Sequence, residues 1–252
     1  MPTKVRTFHA LHHGREAGDP LVLPGPWDAA SARAFADAGF PALATPSAGV
    51  AASLGYEDGA TPPEEMFAAV ARIARAVDVP VSADIEDGYG LPPKELVARV
   101  LETGAVGCNL EDTDGATKTL KDPRRHADWL AEVRAEAGDE LFVNARVDTF
   151  VRGVNDPAEA VERIRLYAEA GADCVYPITV PPTRLPLLRA ATDVPINVYA
   201  SVSPSGPVSD LPVAELGRLG ANRITFGPGL QRRAQAAVAG IARELYGQGH
   251  GW

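Results

Sequence analysis

Cysteine is scarce in this chain, and no run of apolar residues is long enough to span a bilayer. The two cysteines, Cys108 and Cys174, match neither a Cys-x-x-Cys pair nor a Cys/His ligand spacing, so we expect buried, reduced thiols. The polar residues 1–19 contain no apolar segment typical of a secretory signal. The net charge of -9 argues against a nucleic-acid-binding surface. These absences predict a cytoplasmic protein with neither a membrane nor a nucleic-acid partner.

The size and composition of the chain fit one domain with a large core. It has 252 residues, of which 46% are hydrophobic. No shift in composition marks a second domain. We therefore expect a single domain over residues 1–252, with a short polar N-terminal extension of about residues 1–19.

Short apolar runs alternate with longer amphipathic ones along the whole chain. The runs predict strands at 21–24, 42–45, 79–84, 106–111, 141–147, 174–179, 194–200 and 223–227, and helices at 29–38, 63–77, 93–103, 124–137, 157–170, 183–190, 212–219 and 230–246. Eight strands, each followed by a helix, predict a closed (β/α)8 (TIM) barrel of the α/β class. The alternative is an open doubly wound sheet, but the turn after the first strand lacks the expected glycine-rich phosphate motif.

Three acidic residues stand where two neighbouring predicted strands end. Asp84 and Glu86 close the third strand, where alternation places them on the same side, and Glu111 closes the fourth. Carboxylates that crowd together are tolerated when a cation or solvent separates them, and oxygen ligands suit Mg²⁺. A single such acid is more often solvated or capping a helix. Their common position at the barrel's carboxyl end favours a metal site.

Other polar and small residues follow the same strand ends. Asn144, Arg146 and Asp148 share one side of the fifth strand, and Arg146 offers a planar fork to a carboxylate, although an internal ion pair is the plainer interpretation. The small residues 47–49 form a predicted loop whose backbone N–H groups can approach an anion. Asn197 lies in the seventh strand, where it either faces the site or fills the barrel interior.

Six short motifs, in this order, make the chain resemble the isocitrate lyase / phosphoenolpyruvate mutase superfamily. They are PGPWD at 24–28, SAGVA at 47–51, LGYED at 54–58, DIEDGYG at 84–90, NLED at 109–112 and NARVD at 144–148. The resemblance implies a (β/α)8 barrel that assembles as a homo-oligomer, a dimer or a tetramer. It also implies Mg²⁺ (or Mn²⁺) held by Asp84, Glu86 and Glu111, largely through water.

The same resemblance implies roles for individual residues. A small carboxylate substrate is expected to meet Ser47 and Ala48 with its carboxylate, and the metal and Arg146 with its oxygen. The implied catalytic residues are Arg146, Asp58 and Glu111. The implied substrate-binding residues are Trp27, Ser47, Ala48, Asp84, Arg146 and Asn197.

The loop at 113–122 departs from the family pattern. Classical lyases of the superfamily carry a Cys and a His there, and this chain has neither. We expect this loop either to act as a lid or to be an ordinary surface loop, in which Lys118 or Lys121 can supply a positive charge to a distal carboxylate.

The predicted function is a Mg²⁺-dependent lyase that cleaves a C–C bond in a small α-keto or 2-hydroxy acid through a pyruvate enolate-like intermediate, as methylisocitrate lyases do. The alternatives are an oxaloacetate or phosphonopyruvate hydrolase or decarboxylase, a P–C bond mutase, and a barrel that binds keto acids without turnover.

Overall fold

Eight short parallel strands alternate with helices along the part of the chain that the computed structural model describes, residues 3–203 and 211–248. The strands are β1 (Leu21–Val22), β2 (Leu43–Ala44), β3 (Val81–Asp84), β4 (Gly107–Leu110), β5 (Phe142–Val147), β6 (Cys174–Pro177), β7 (Asn197–Tyr199) and β8 (Arg223–Thr225). The helices are α1 (Lys4–Leu11), α2 (Ala29–Asp37), α3 (Ser47–Leu54), α4 (Pro63–Ala74), α5 (Pro93–Glu102), α6 (Pro123–Ala137), α7 (Pro157–Glu169), α8 (Leu185–Arg189), α9 (Val213–Arg218) and α10 (Gly229–Gln248). Two single 3-10 turns cover Phe150–Arg152 and Pro182–Arg184.

The strands close into a barrel in chain order. Strands β2 to β6 form one run of parallel neighbours, and β7, β8 and β1 form another. A parallel bridge between Val175 and Ile196 joins β6 to β7, and the backbone N–H of Ala44 donates to the carbonyl of Pro24 at 3.1 Å to join β2 to β1. Because β1 also pairs with β8, the predicted (β/α)8 barrel is confirmed and the open sheet is excluded.

The helices begin largely where the sequence places start signals. Helices α4 and α7 carry proline at the first position and glutamate in the first turn, which suits the unpaired N–H groups there. The side chain of Asp156 accepts a hydrogen bond from the backbone N–H of Ala158 at 2.9 Å and so caps α7. The buried face of α4 then packs Met66, Val70 and Ile73 against the strands.

A small apolar cluster fills the barrel interior below the carboxyl ends of the strands. Phe8 of α1 is fully buried and meets the ring of Phe142, at the start of β5, edge to face at 5.1 Å. A side chain at Gly107 would come within 3.1 Å of the Phe8 ring, so glycine makes room for this plug. Helix α1 therefore closes the amino end of the barrel, within the stretch predicted as a polar extension.

Two further local predictions need correction. Residues 47–49 were expected to lie in a loop but form the first turn of α3, because the Ala-rich segment up to Leu54 favours a helix. The predicted helix 183–190 is instead a 3-10 turn followed by the short α8, with Pro186 in its first turn. None of the helices in the described ranges combines the length and the apolar character needed to cross a bilayer.

Candidate active site

A cavity of about 350 Å³ opens at the carboxyl ends of the strands. This is the end at which the loops of a (β/α)8 barrel build catalytic sites. Among the predicted site residues, those that line the cavity are Ser47, Ala48, Asp58, Asp84, Glu86, Glu111 and Arg146. The structure thus brings together residues from the ends of four strands, spread over about one hundred positions of the chain.

Arg146 lies at the centre of the charged groups. Its Nη1 donates to Oε1 of Glu111, and its Nε donates to Oδ1 of Asp148 at 2.9 Å. Oδ2 of Asp84 lies 3.9 Å from Nη1 of Arg146. The register explains this arrangement, because Leu110 pairs with Ala145 and the next residues, Glu111 and Arg146, are carried side by side. These contacts include the internal ion pair that was the plainer interpretation of Arg146. Arg146, Glu111 and Asp84 line the cavity, and Asp148 is buried behind them.

The three predicted metal ligands are crowded carboxylates with too little positive charge around them. Burial raises the pKa of Asp84, although Arg146 opposes the shift. Burial, Asp84 and Asp58 raise the pKa of Glu86 to about 7. Burial also raises the pKa of Glu111 to about 8, against the effect of Arg146. A divalent cation would restore the charged forms of these groups, so the electrostatics fit a metal.

The geometry of these acids refines the prediction from strand alternation. Strand β3 ends at Asp84, and Glu86 has a left-handed backbone with φ of 54°, so a turn rather than the pleat brings both side chains to the same cavity. Oε1 of Glu86 is buried without a hydrogen-bond partner. Such an orphaned carboxylate oxygen is a ready acceptor for a cation or its water.

No three His, Cys, Asp or Glu side chains in residues 3–203 and 211–248 are grouped tightly enough to form a direct metal-ligand cluster. Mg²⁺ commonly keeps several waters between itself and protein carboxylates. The three predicted ligands offer only oxygen donors, which are the donors that Mg²⁺ and Mn²⁺ prefer.

The amino end of α3 points a second kind of binding group toward the cavity. Pro46 is the N-cap and provides no side-chain cap, so the backbone N–H groups of the first turn have no partner within the helix. Ser47 and Ala48 belong to this turn and line the cavity. Free N–H groups and the helix dipole together favour an anion such as a carboxylate.

Trp27 and Asn197 lie off the cavity wall. The indole of Trp27 packs edge to face on Phe35, with 6.4 Å between the ring centres. Asn197 is fully buried in β7, and its Oδ1 accepts a hydrogen bond from Thr225, which does line the cavity. A contact of either residue with substrate stays a prediction, and for Asn197 the structure shows the barrel-filling role that was its alternative.

Behind Arg146 lies a network of polar residues that was not predicted from the sequence. Both oxygens of Asp148 are engaged, Oδ1 by Arg146 and Oδ2 by the hydroxyl of Thr113 at 2.7 Å. The backbone N–H of Asp148 donates to Asp112, whose other oxygen accepts from Arg163 and the Tyr167 hydroxyl. Only the Glu-Asp and Arg-x-Asp spacing hinted at this network, because its outer members come from α7.

The loop at 113–122 is tied to the site by a hydrogen bond and an ion pair. Thr113 and Leu120 form an antiparallel bridge, and the backbone N–H of Gly115 donates to Asp87 at 2.9 Å. Lys121 forms an ion pair with Asp87 at 3.4 Å and turns away from the cavity, whereas Lys118 lines the cavity. Of the two lysines considered for a distal charge, the structure brings only Lys118 to the cavity wall.

The two cysteines are free and buried, and neither is placed to act as a catalytic thiol. Cys108 lies within β4 and Cys174 within β6, and burial raises the pKa of each thiol to about 12. Neither residue is on the cavity wall. Cys108 therefore does not replace the thiol that the loop at 113–122 lacks.

The fold and the site together define a (β/α)8-barrel protein with an acidic, arginine-centred cavity at the carboxyl ends of its strands. A family model described as phosphoenolpyruvate phosphomutase matches residues 8–246. A protein of Mycobacterium tuberculosis with no assigned activity is 36% identical over 92% of this chain and 88% of its own length. The Corynebacterium glutamicum protein named probable 2-methylisocitrate lyase 2 is 31% identical over 94% of this chain and 79% of its own.

A solved structure described as phosphonopyruvate hydrolase in complex with oxalate and Mg²⁺ superposes with a TM-score of 0.86. It is 22% identical and covers 98% of this chain and 88% of its own, so it supports the fold. The chain belongs to the isocitrate lyase / phosphoenolpyruvate mutase superfamily. Relatives with a named activity include lyases and a mutase, and this supports an enzyme.

Proposed function

We propose that the protein is a Mg²⁺- or Mn²⁺-dependent lyase that cleaves a C–C bond in a small α-keto or 2-hydroxy acid, through an enolate of pyruvate type. One observation carries the proposal: the same cavity is lined by Arg146, by three carboxylates whose pKa is raised, and by the amino end of α3. This set of groups can bind a carboxylate, a cation and a developing negative oxygen at once.

Each part of the cavity has a proposed role. Asp84, Glu86 and Glu111 hold the metal, which supplies Lewis-acid stabilisation of a negative oxygen when bound. The first turn of α3, at Ser47 and Ala48, binds the substrate carboxylate. Arg146, held in place by Asp148, donates to the oxygen on which negative charge develops.

The proton transfer is assigned to the acids of the cavity. Asp58 and Glu111 both line it, and a carboxylate in either position can take a proton from the reacting group or give one to it. Closure of the loop at 113–122 over these acids would exclude water from the enolate.

A second candidate function is hydrolysis or decarboxylation of oxaloacetate or phosphonopyruvate in the same cavity. It is favoured by the loop at 113–122, whose side chains include neither a thiol nor an imidazole, since these reactions need no protonation from that loop. A P–C bond mutase would use the same cavity. Binding of keto acids without turnover is the least favoured, because the charged set around Arg146 is complete.

The assay is a screen of the purified protein with Mg²⁺ against isocitrate, methylisocitrate, malate-like acids, oxaloacetate and phosphonopyruvate, with detection of pyruvate and glyoxylate. Asp84→Ala should abolish both activity and saturable Mg²⁺ binding, whereas Asp37→Ala, an exposed acid on α2, should change neither. An unchanged Mg²⁺ titration in Asp84→Ala would disprove the metal site.

We also propose that the protein is a cytoplasmic homo-oligomer, a dimer or a tetramer, built from single-domain subunits. Helix α10 supports the assembly, because Val238, Ile241 and Leu245 lie on one side of it and are all more than half exposed. Ile241→Glu should shift the mass measured by light scattering toward the monomer. An unchanged mass would argue that α10 is not the interface.

A further inference from the structure

Arg223 is a fully buried arginine inside the barrel. It is the first residue of β8, in register with Leu21 of β1 and Asn197 of β7. Thr225, two residues further along the strand and therefore on the same side, lines the catalytic cavity, whereas Arg223 does not. The guanidinium Cζ lies 5.8 Å from the centre of the Phe8 ring, which closes the amino end of the barrel. Arg223 thus lies in the interior between Phe8 and the cavity, where the proposed chemistry does not use it.

The guanidinium of Arg223 has no hydrogen-bond partner among residues 3–203 and 211–248. Its Nε, Nη1 and Nη2 are all buried, and none of them donates to an acceptor in those ranges. The Phe8 ring offers a cation–π contact, which offsets only part of the cost of burying a charge. A buried charge without a hydrogen-bonded counter-charge is among the most destabilising features that a fold can contain. The position therefore calls for a negatively charged partner.

The ionisable side chains that act on Arg223 do not supply this negative charge. Burial raises the pKa of the Cys174 thiol and of the Tyr176 hydroxyl to about 12, so both are protonated near neutral pH. Burial and Arg223 lower the pKa of His12 to about 3, so its imidazole is neutral. Asp84 also acts on Arg223, but it lies on the wall of the cavity and forms its ion pair with the arginine there. These neighbours leave the guanidinium with an unbalanced positive charge.

A second unpartnered donor stands beside Arg223. Asn197 is its register neighbour on β7, is fully buried, and accepts a hydrogen bond from Thr225 through Oδ1. The Nδ2 of Asn197 has no partner in the part of the chain that the structure describes. Guanidinium and amide N–H groups are donors only, so the two neighbouring side chains together favour an acceptor that carries negative charge.

The surroundings of these donors limit the size of what they can bind. Phe8 is fully buried on one side, and Tyr176 is 3% exposed on the side of the cavity. The hydroxyl groups of Tyr176 and Thr225 lie 3.3 Å apart, so side chains from β6 and β8 meet across this level of the interior. An enclosed position among donors suits a monatomic anion better than a carboxylate or a phosphate, and chloride is the commonest such ion.

We propose that Arg223 and Asn197 bind a halide ion, chloride under ordinary conditions, inside the barrel between Phe8 and the catalytic cavity. The ion accepts hydrogen bonds from the guanidinium and from the amide of Asn197, and it neutralises the buried charge. It binds the folded chain and not the unfolded one, so it stabilises the closed barrel. The inference holds whether or not the proposed function is correct, because the ion takes no part in the reaction.

The first test is reversible urea unfolding in which chloride replaces methanesulfonate at constant ionic strength. Methanesulfonate is too large for the enclosed position, and constant ionic strength keeps the screening of surface charges equal. Unfolding also releases an enclosed ion, so slow exchange in the folded state does not matter. Once the site is occupied, the folding equilibrium constant of the wild-type protein should rise about tenfold for each tenfold rise in chloride, as expected for one ion released on unfolding.

Matched variants assign this dependence to Arg223. Arg223→Met keeps the approximate length of the side chain without the charge, and it should abolish the dependence on chloride. Arg223→Lys keeps a charge and should retain a weaker dependence. Arg165→Met replaces an exposed arginine on α7 and should behave like the wild-type protein. Equal dependence in the wild-type protein and Arg223→Met would overturn the site.

The second test locates the ion in the wild-type protein, so it stands even if the variants do not fold. Crystals grown in bromide should show an anomalous scattering peak within hydrogen-bonding distance of the Arg223 nitrogens and of Nδ2 of Asn197. Growth in bromide, rather than soaking, allows the ion to enter as the chain folds. Water alone beside Arg223, or bromide bound only at the surface, would overturn the proposal.

Discussion

Asp148→Asn separates the positioning of Arg146 from its charge. Asp148 is fully buried, its Oδ1 accepts from Nε of Arg146 at 2.9 Å, and its Oδ2 accepts from Thr113. Asparagine has the same shape and can still accept from Arg146, while its amide can donate to the Thr113 oxygen. The substitution therefore removes a charge and reverses the hydrogen bond with Thr113, while both contacts can be kept.

The expected size of the effect follows from the contacts that remain. A hydrogen bond between charged groups contributes roughly 1 to 2 kcal/mol more than a neutral one, so Asp148→Asn should destabilise the fold by about that amount. Arg146 keeps Glu111 as an ion-pair partner, and without the pull of Asp148 it should move toward that carboxylate. Arg146 would then meet the developing negative oxygen less well, which should lower kcat about tenfold with little change in KM.

Asp148→Ala provides the contrast, because it leaves Nε of Arg146 and the Thr113 hydroxyl without their buried partner. It should cost about 3 kcal/mol or more in a urea titration. Asp128→Asn on the exposed face of α6 is the control for the change of charge. If Asp148→Asn and Asp148→Ala were equally stable, or if kcat were unchanged in both, Asp148 would not position Arg146.

Three further predictions concern Arg146, Cys108 and His126. Arg146→Lys should lower kcat more than it raises KM, because lysine cannot reach Glu111 and Asp148 together; a change in KM alone would point to simple carboxylate binding. Cys108→Ser should leave the rate largely intact, since burial raises the pKa of this thiol to about 12; a large loss of rate in folded protein would revive thiol catalysis. Burial lowers the pKa of His126 from 6.5 to about 3, so the unfolded chain binds a proton there that the folded chain does not, and stability should be fully present above pH 6.5 and fall as the pH drops toward 3. His126→Gln should flatten this part of the curve of unfolding free energy against pH, and an unchanged slope would contradict the assignment.

Much of the site could be predicted because its residues stand at the ends of apolar runs, which the sequence shows directly. Asp84 and Glu111 each follow an apolar run, and parallel neighbours in a barrel carry such residues to one rim. Arg146 followed from the same reasoning, and its pairing with Glu111 follows from the register of β4 and β5. Glu86 was correctly predicted to face the cavity, but the reason given, strand alternation, was not the right one. The turn after β3 directs its side chain there.

Other features could not be predicted from local sequence. Helix α1 is short and polar, and its role depends on one residue, Phe8, which finds Phe142 more than one hundred positions away. The tie between Arg152 and Thr113 joins the loops after two different strands. A propensity or a spacing contains no information about such partners, because they become neighbours only when the barrel closes.

The sequence by itself determined the alternation of strands and helices, the barrel and the carboxylates that end its third and fourth strands. These depend on periodicity and on strand ends, which are properties of neighbouring residues in the chain. Only the tertiary structure decided that Arg146 is shared between Glu111 and Asp148, that α3 presents its amino end to the cavity, and that Lys118 rather than Lys121 faces it. Those outcomes depend on distances across the barrel, and desolvation by the assembled fold raises the pKa of its buried acids.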